Sequence, residues 1–332
     1  LDKNLNDTPL VTVLMPVYNG ERYLREAIDS ILNQTYSNFE FLIINDGSTD
    51  LSEDIIFSYN DLRIIYVKNE FNIQLIETLN KGLNIAKGEF IARMDADDIS
   101  YSNRLEKQVH FLMNNQKVGL LGTAFEFING EERISYYQDD KDLRLSLCFY
   151  NSFLHSSVMF RKEILSKYNF SFNKKYIHAE DYKLWTEFVC KSKVANLKDV
   201  LVKYRIHDNQ ISKIHEQVQK EISLTIQKEY FLSAGFSFSN DEFELLQHTN
   251  FNKNKVIEYL KFMDKFYIQN KKYSFFDDPT LLSFLGKRYK NYLLEVKKID
   301  KELVGFLSNS LLYSLITLTF KQKISLQLKR FK

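Results

Sequence analysis

The 332-residue chain is 44% hydrophobic and 27% charged, which excludes a disordered polymer and is enough for about two domains with sizeable cores. No run of about 18 apolar residues occurs, so no membrane-spanning helix is expected; no secretory leader is visible, and Leu1 in place of Met reads as a trimmed or engineered start. Net charge is +2 but unevenly spread, +7 from residue 211 onward and −5 before it.

Leu10-Val11-Thr12-Val13-Leu14-Met15 is rich in strand formers and stops at Pro16, which predicts a buried strand. Residues 21–34 place Tyr23, Leu24, Ala27, Ile28, Ile31 and Leu32 at helical spacing. A second apolar run, 39–45, closes in Asp46-Gly47-Ser48-Thr49-Asp50, a turn suited to capping a helix. Residues 62–67 predict a third strand, and 72–86 a helix stopped by Lys87-Gly88. The fourth strand, 90–94, runs into Asp95-Ala96-Asp97-Asp98. Such alternation predicts an α/β fold, a parallel sheet with helices on both faces. Ligands of these sheets bind beyond the carboxyl ends of the strands, where Asn19, Asp46 and the acidic cluster all fall.

After Arg104 a helix runs to about 115, and a strand-like stretch, 118–128, meets Asn129-Gly130, a hairpin signal. Residues 140–167 are mixed. A helix over 181–189 carries the single tryptophan, Trp185, and 194–204 is strand-like. Beyond 211 the pattern is helical and rich in Tyr, Phe and Lys, so the expected domains are 1–220 and 221–332. In the second, Tyr289, Tyr292, Phe306 and Tyr313 read as core or interface. Cys148 and Cys190 suit neither a disulfide framework nor a thiolate metal site and read as buried thiols of a reducing cytoplasm.

Three carboxylates in four positions repel one another unless a cation lies between them. A hard divalent ion, Mg²⁺ or Mn²⁺, held by oxygen ligands and substrate phosphates, answers that need; a solvated acidic turn is the plain alternative. Glu180-Asp181 opens a helix. Alone the pair reads as acidic capping; behind a metal cluster it reads as a carboxylate base.

Met15-Pro16-Val17-Tyr18-Asn19-Gly20, Ile44-Asn45-Asp46-Gly47-Ser48-Thr49-Asp50, Ala92-Arg93-Met94-Asp95-Ala96-Asp97-Asp98 and Ala179-Glu180-Asp181-Tyr182 occur in that order. Over about residues 10–212 the chain resembles glycosyltransferase family 2, with the GT-A fold. Through Leu201-Val202-Lys203-Tyr204-Arg205-Ile206-His207-Asp208-Asn209-Gln210-Ile211-Ser212 it is similar to bacterial lipooligosaccharide and surface-polysaccharide N-acetylhexosaminyltransferases. The resemblance implies inverting transfer, a UDP-sugar donor and a metal ion.

It also implies roles. Asp46 would accept the imide N–H of uracil, a proton that cytosine lacks; capping the next helix is its other reading. Pro16, Val17 and Tyr18 would frame the base, with Asn72 adding a polar contact. Asp97 is expected to be the direct metal ligand, Asp95 to meet ribose or the metal, and His207 to be a further ligand or a phosphate donor. Arg205 is expected on phosphate oxygens. Asp181 would be the general base and Glu180 an acceptor or loop-orienting group. His155 and Asp98 are expected on the acceptor side.

The chain departs from the pattern in three places. Ser156-Ser157 replace two asparagines common after this His. Gln74 stands where Gly is usual, and Leu79 where Arg is usual. Arg93 is therefore expected to supply the missing cation to the diphosphate. The expected partners are a UDP-sugar and an oligosaccharide or lipid-linked glycan, in the cytoplasm or peripherally on the inner membrane face. The tail carries Lys321, Lys323, Lys329, Arg330 and Lys332 interleaved with Ile324, Leu326, Leu328 and Phe331. It reads either as a surface for anionic membrane or as a solvated helical end. No nucleic-acid module is recognisable. Two other functions remain open: a nucleotidyltransferase, though no glycine- and basic-rich triphosphate loop is present, and a degenerate glycan-binding module.

Overall fold

The computed structural model describes residues 8–128, 133–134, 137–208, 210–247, 253–295 and 301–315. The expected hairpin tip Asn129-Gly130, Asn209 and the basic tail lie outside these residues. The described residues divide into two compact units, those within 1–143 and 151–222, and those within 144–150 and 223–332. The boundary expected at 220/221 falls between Ile222 and Ser223, and the excursion of 144–150 into the second unit has no sequence signal.

The first unit runs β1 (Val11–Val17), α1 (Leu24–Leu32), β2 (Phe39–Asn45), α2 (Ser52–Phe57), β3 (Ile64–Lys68), α3 (Leu75–Ile85), β4 (Phe90–Arg93), β5 (Ile99–Ser100), α4 (Arg104–Asn114), β6 (Val118–Phe127), β7 (Arg133–Ile134) and α5 (Asp140–Ser146). It continues through β8 (Met159–Arg161), α6 (Lys162–Tyr168), α7 (Glu180–Lys191), β9 (Lys193–Tyr204) and α8 (Ile211–Ile214) into α9 (Glu216–Ser233). The nine strands form one sheet of order β3-β2-β1-β4-β8-β6-β9-β5, with β7 on β6. β3, β2, β1 and β4 pair in parallel, as do β6 and β9, while β8, β5 and β7 run antiparallel to their neighbours.

Helices cover both faces. Val13, Met15, Phe41 and Ile43 pack with Ala27, Ile28 and Ile31 of α1 and with Leu105, Val109 and Leu112 of α4. On the other face Leu14 and Ile44 meet α3 at Gly82, where a Cβ would lie 2.3 Å from Leu14 Cδ1. β1 continues one residue past Pro16, opposite Ile44 of β2. The proline costs no ladder bond, because its imide nitrogen faces β4, whose pairing with β1 stops at Leu14.

Two helices start later than their periodicity suggests. Before α1, Glu21 is taken up by the neighbouring loop, its N–H donating to Asp50 Oδ2 and its Oε2 accepting from Leu51 N. Before α3, the Ile73 N–H is drawn to Asp46, and Gln74 has φ 74° and ψ 159°, which no helix admits. Cys148 is buried as expected, but Cys190 is exposed: it lies on the face of α7 opposite Leu184, Trp185 and Phe188.

The second unit adds α10 (Asn240–Glu244), α11 (Lys253–Tyr273), α12 (Asp278–Glu295), α13 (Lys301–Asn309) and α14 (Leu311–Leu315). Its core is aromatic: Phe231 and Phe236 lie 5.1 and 5.0 Å from Phe266, and Phe149 lies 5.2 Å from Phe284. Tyr289 is buried with its hydroxyl on Ser310 Oγ. No helix among the described residues is long and apolar enough to cross a membrane.

Candidate active site

The carboxyl ends of β1 and β2 carry two loops that hold each other. Asn19 N donates to Ser48 Oγ, Gly20 N to Ser52 Oγ, and Thr49 N to Asn19 Oδ1. Asp50 Oδ1 accepts from Ser52 N at the start of α2. Asp46 is thereby released from the capping role. Its Oδ1 accepts from Asn69 Nδ2 at 2.8 Å and from Ile73 N at 2.9 Å, and among the described residues Oδ2 takes no hydrogen bond. Gly47, at φ 71°, leaves no room for a side chain: a Cβ there would lie 2.6 Å from the Phe71 carbonyl carbon and 2.7 Å from Asn72 N. Tyr18 is 51% exposed beside this turn, Val17 is buried, and Pro16 is half-buried. Exposed Asn72 uses its Oδ1 on Gln74 N.

The acidic cluster follows β4, against the first loop: a Cβ on Gly20 would lie 3.7 Å from Ala96 Cβ. Its three carboxylates have different partners. Asp95 Oδ1 pairs with Arg93 at 2.5 Å. Asp97 Oδ2 lies 2.9 Å from His207 Nε2, and its carbonyl accepts from Arg205 Nε at 2.8 Å. Asp98, 1% exposed, accepts from Ser156 Oγ on Oδ2 and from Arg205 N on Oδ1. Burial raises the Asp97 carboxyl, Asp95 adds to it, and His207 partly offsets both. Asp98 is pushed well above the usual carboxylate range by burial and then by Asp97 and Asp95.

That shortage of positive charge fits a divalent ion. Among the described residues no three His, Cys, Asp or Glu side chains form a complete ligand set. The expected Asp95, Asp97 and His207 are thus not assembled as one, since Asp95 turns to Arg93. A hard cation would rest on Asp97, with His207 adjacent, and take its other ligands from phosphate and water.

Glu180 and Asp181 occupy the first turn of α7. Burial, reinforced by Asp181, lifts Glu180 to about 7. Burial lifts Asp181 to about 6, against hydrogen bonds from Tyr182 N and Asn151 Nδ2. Asp95 and Arg93 lie within electrostatic range of both, so the fold brings the acidic cluster and the candidate base together.

Several expectations need correction. Arg93 is 1% exposed, and among the described residues its Nε has no hydrogen-bond partner. Its charge therefore acts on Asp95, Glu180 and Asp181 from beneath rather than touching a diphosphate. Arg205 stacks over Tyr23 at 4.3 Å and pairs with Glu26 at 2.8 Å, so its guanidinium is tied down by protein. Asp98 is sealed by Ser156 and cannot meet an acceptor. His155 packs between Phe172 and Trp185, its Nε2 buried, and burial holds it well below the usual histidine range. Ser156 and Ser157 are buried supports, Ser157 donating to the Leu154 carbonyl at 2.9 Å, so the missing asparagines concern Asp98 and not acceptor contact. Leu79 is buried.

Sequence reasoning missed Asn69, which orients Asp46; Asn151, which orients Asp181; and Arg104. The Arg104 guanidinium, fully buried behind the cluster, donates to the Arg93 carbonyl at 2.8 Å; burial draws it down to about 9, still cationic at neutral pH. No local pattern marks any of the three.

Comparisons with known proteins bear on the family and the fold. The profile of Glycosyl transferase family 2 matches residues 12–179. An uncharacterized glycosyltransferase of Haemophilus influenzae is 37% identical over 248 residues, covering 69% of this chain and 76% of that protein. The Escherichia coli UDP-Glc:alpha-D-GlcNAc-diphosphoundecaprenol beta-1,3-glucosyltransferase WfgD is 30% identical over 62% of this chain and 81% of its own length. The Escherichia coli O-antigen biosynthesis glycosyltransferase WbnJ is 35% identical over 61% and 82%. Two solved structures share the fold. Staphylococcus aureus TarS 1–349 in complex with UDP-GlcNAc aligns at TM-score 0.58 and 18% identity, covering 86% of this chain and 84% of that one. The mannosyltransferase PcManGT of Pyrobaculum calidifontis, in complex with GDP-Man and Mn²⁺, aligns at TM-score 0.53 and 16% identity over 98% and 85%.

Proposed function

The chain belongs to glycosyltransferase family 2, and on that premise we propose that it transfers a sugar, with inversion, from a UDP-sugar to a hydroxyl of a growing bacterial surface glycan. GlcNAc or GalNAc is the favoured sugar, ahead of Gal or Glc. A lipid-linked acceptor is supported by the name of WfgD, which specifies a diphosphoundecaprenol substrate, and surface-glycan synthesis by that of WbnJ. Such an acceptor suits work at the inner membrane face, where the basic, apolar-interleaved stretch after Glu302 would meet anionic lipid.

Tyr18 offers a stacking face to the base, and Asp46 Oδ2 accepts its imide proton. Asp95, neutralised from below by Arg93, faces the ribose. Asp97 and His207 would hold a divalent ion, Mn²⁺ or Mg²⁺, which would supply positive charge to offset that on the departing diphosphate. Asp181 takes the proton of the acceptor hydroxyl as it attacks the anomeric carbon opposite UDP, so no covalent sugar intermediate is needed. Glu180 beside it orients the acceptor or the loop.

The observation that carries this reading is Asp181 itself. It is a carboxylate held near pKa 6, within electrostatic range of the cluster that would bind the donor, and so ionised but basic at neutral pH. Asp181→Asn should cut transfer by about 10²- to 10⁴-fold while sparing UDP binding. Retained transfer would remove Asp181 as the base. A wild type that binds no UDP, with or without Mn²⁺, would remove the donor assignment.

A further inference from the structure

Asp46 owes its orientation to a relay that begins outside the site. Lys81, partly exposed on α3, donates from Nζ to Asn69 Oδ1 at 2.6 Å. Asn69, 4% exposed, donates from Nδ2 to Asp46 Oδ1 at 2.8 Å and to Thr78 Oγ1 at 3.1 Å.

The direction of this chain follows from the donor inventory. An ammonium has three donors and no acceptor, so the amide must present Oδ1 to Lys81 and therefore Nδ2 to Asp46. Thr78 Oγ1 both donates and accepts, so it selects neither orientation. The Asn69 backbone N–H is occupied by the Asn45 carbonyl at 2.8 Å. Lys81 and the acceptor-only Asp46 carboxylate thus demand the same orientation of the buried amide, and Lys81 is the one of the two that anchors it from outside the base contact. Turned over, the amide would set its oxygen against the Asp46 carboxylate.

We infer that Lys81 is a positioning residue for base selectivity: through Asn69 it keeps Asp46 fixed as an acceptor for a donor N–H on the nucleotide base. The inference rests on the UDP-donor reading above. With Oδ1 filled by Asn69 and Ile73, Oδ2 is the acceptor that remains. Uracil offers a proton at N3, whereas cytosine presents a lone pair there and is refused. The backbone fold alone cannot make this choice, because structures of the same fold are known in complex with UDP-GlcNAc and with GDP-Man.

The test is calorimetric titration of UDP and of CDP, in Mn²⁺, into the full chain carrying Lys81, Lys81→Met or Lys81→Arg, with thermal unfolding followed in parallel. Lys81→Met should raise the UDP Kd about tenfold and leave that of CDP within about twofold, so that discrimination falls about tenfold. Lys81→Arg, which keeps a donor, should restore it. In turnover the effect should fall on donor KM and not on kcat. Unchanged discrimination in Lys81→Met, or equal weakening of both nucleotides, would overturn the inference and leave Lys81 a merely structural residue. Should Lys81→Met not fold, Lys81→Ala, which likewise offers Asn69 no donor, gives the same ratio test. A wild type that binds UDP and CDP equally would overturn the uracil contact of Asp46 and this relay together. A wild type that binds neither would instead sink the donor reading on which both stand.

Discussion

Asn151 Nδ2 donates to Oδ2 of Asp181 at 2.8 Å, across 30 residues of sequence. The bond favours the ionised carboxylate and works against the burial that lifts Asp181 to about 6. Removing it in Asn151→Ala leaves desolvation less opposed, so the Asp181 pKa should rise by about one unit. The acid limb of kcat/KM should move to higher pH by the same amount. The variant would then lose more activity at pH 6 than at pH 8. A pH–rate profile checks this, and an unmoved acid limb would mean that another group is the base.

Glu180 makes the opposite kind of prediction, about stability. Its folded pKa, about 7, lies above the ordinary 4.5, so the native state binds this proton more tightly than the unfolded chain does. Stability from this group therefore grows as pH falls through 7 and is fully present below 4.5. At pH 8 the buried charge is a penalty. Glu180→Gln should raise unfolding free energy at pH 8 by on the order of 1–3 kcal/mol and change it little near pH 4. Urea unfolding at the two pH values measures the difference.

Gln74 stores backbone strain. At φ 74° and ψ 159° it occupies a region open essentially to glycine, while Asn72 and Ile73 beside it serve the Asp46 loop. Relief of the strain outweighs the added entropy of a glycine in the unfolded chain. Gln74→Gly should therefore stabilise the protein by about 1 kcal/mol, whereas Gln74→Ala, which keeps the Cβ, should not. Chemical denaturation of both variants separates strain from side-chain effects.

Asp97 and Asp98 should behave differently despite their adjacency. Asp98 is sealed and its charge is disfavoured, so Asp98→Asn, which still accepts from Arg205 N, should fold and bind UDP nearly as well as the wild type. Asp98→Leu leaves Ser156 Oγ and Arg205 N unpaired and should cost about 2–5 kcal/mol of stability. Asp97→Asn should leave stability intact but abolish any gain in UDP affinity from Mn²⁺. Calorimetry with and without the ion, beside thermal unfolding, distinguishes the two residues.

Much of the first unit was legible because its signals are local. The alternation of apolar runs and helical spacing from residue 10 to 94 reproduces β1 to β4, α1 and α3, since each of these elements needs only its own residues to declare its period. Short β5 and β8 were not legible: two or three residues make a strand only when partners 100 and 70 residues away lie alongside. The motif loops were also legible, because Gly47 and the acidic cluster advertise a turn and a charge conflict in the residues themselves.

By itself, then, the sequence determined that a nucleotide-type α/β sheet would carry an acidic cluster and a carboxylate pair on its strand ends. Only the tertiary structure decided what each carboxylate does. Asp95, Asp97 and Asp98 are the same residue type. They differ because a buried Arg93, a loop His207 and a buried Ser156 are delivered to them by three different parts of the chain. Charge, burial and hydrogen-bond direction are properties of those meetings in space, and no spacing along the chain encodes them.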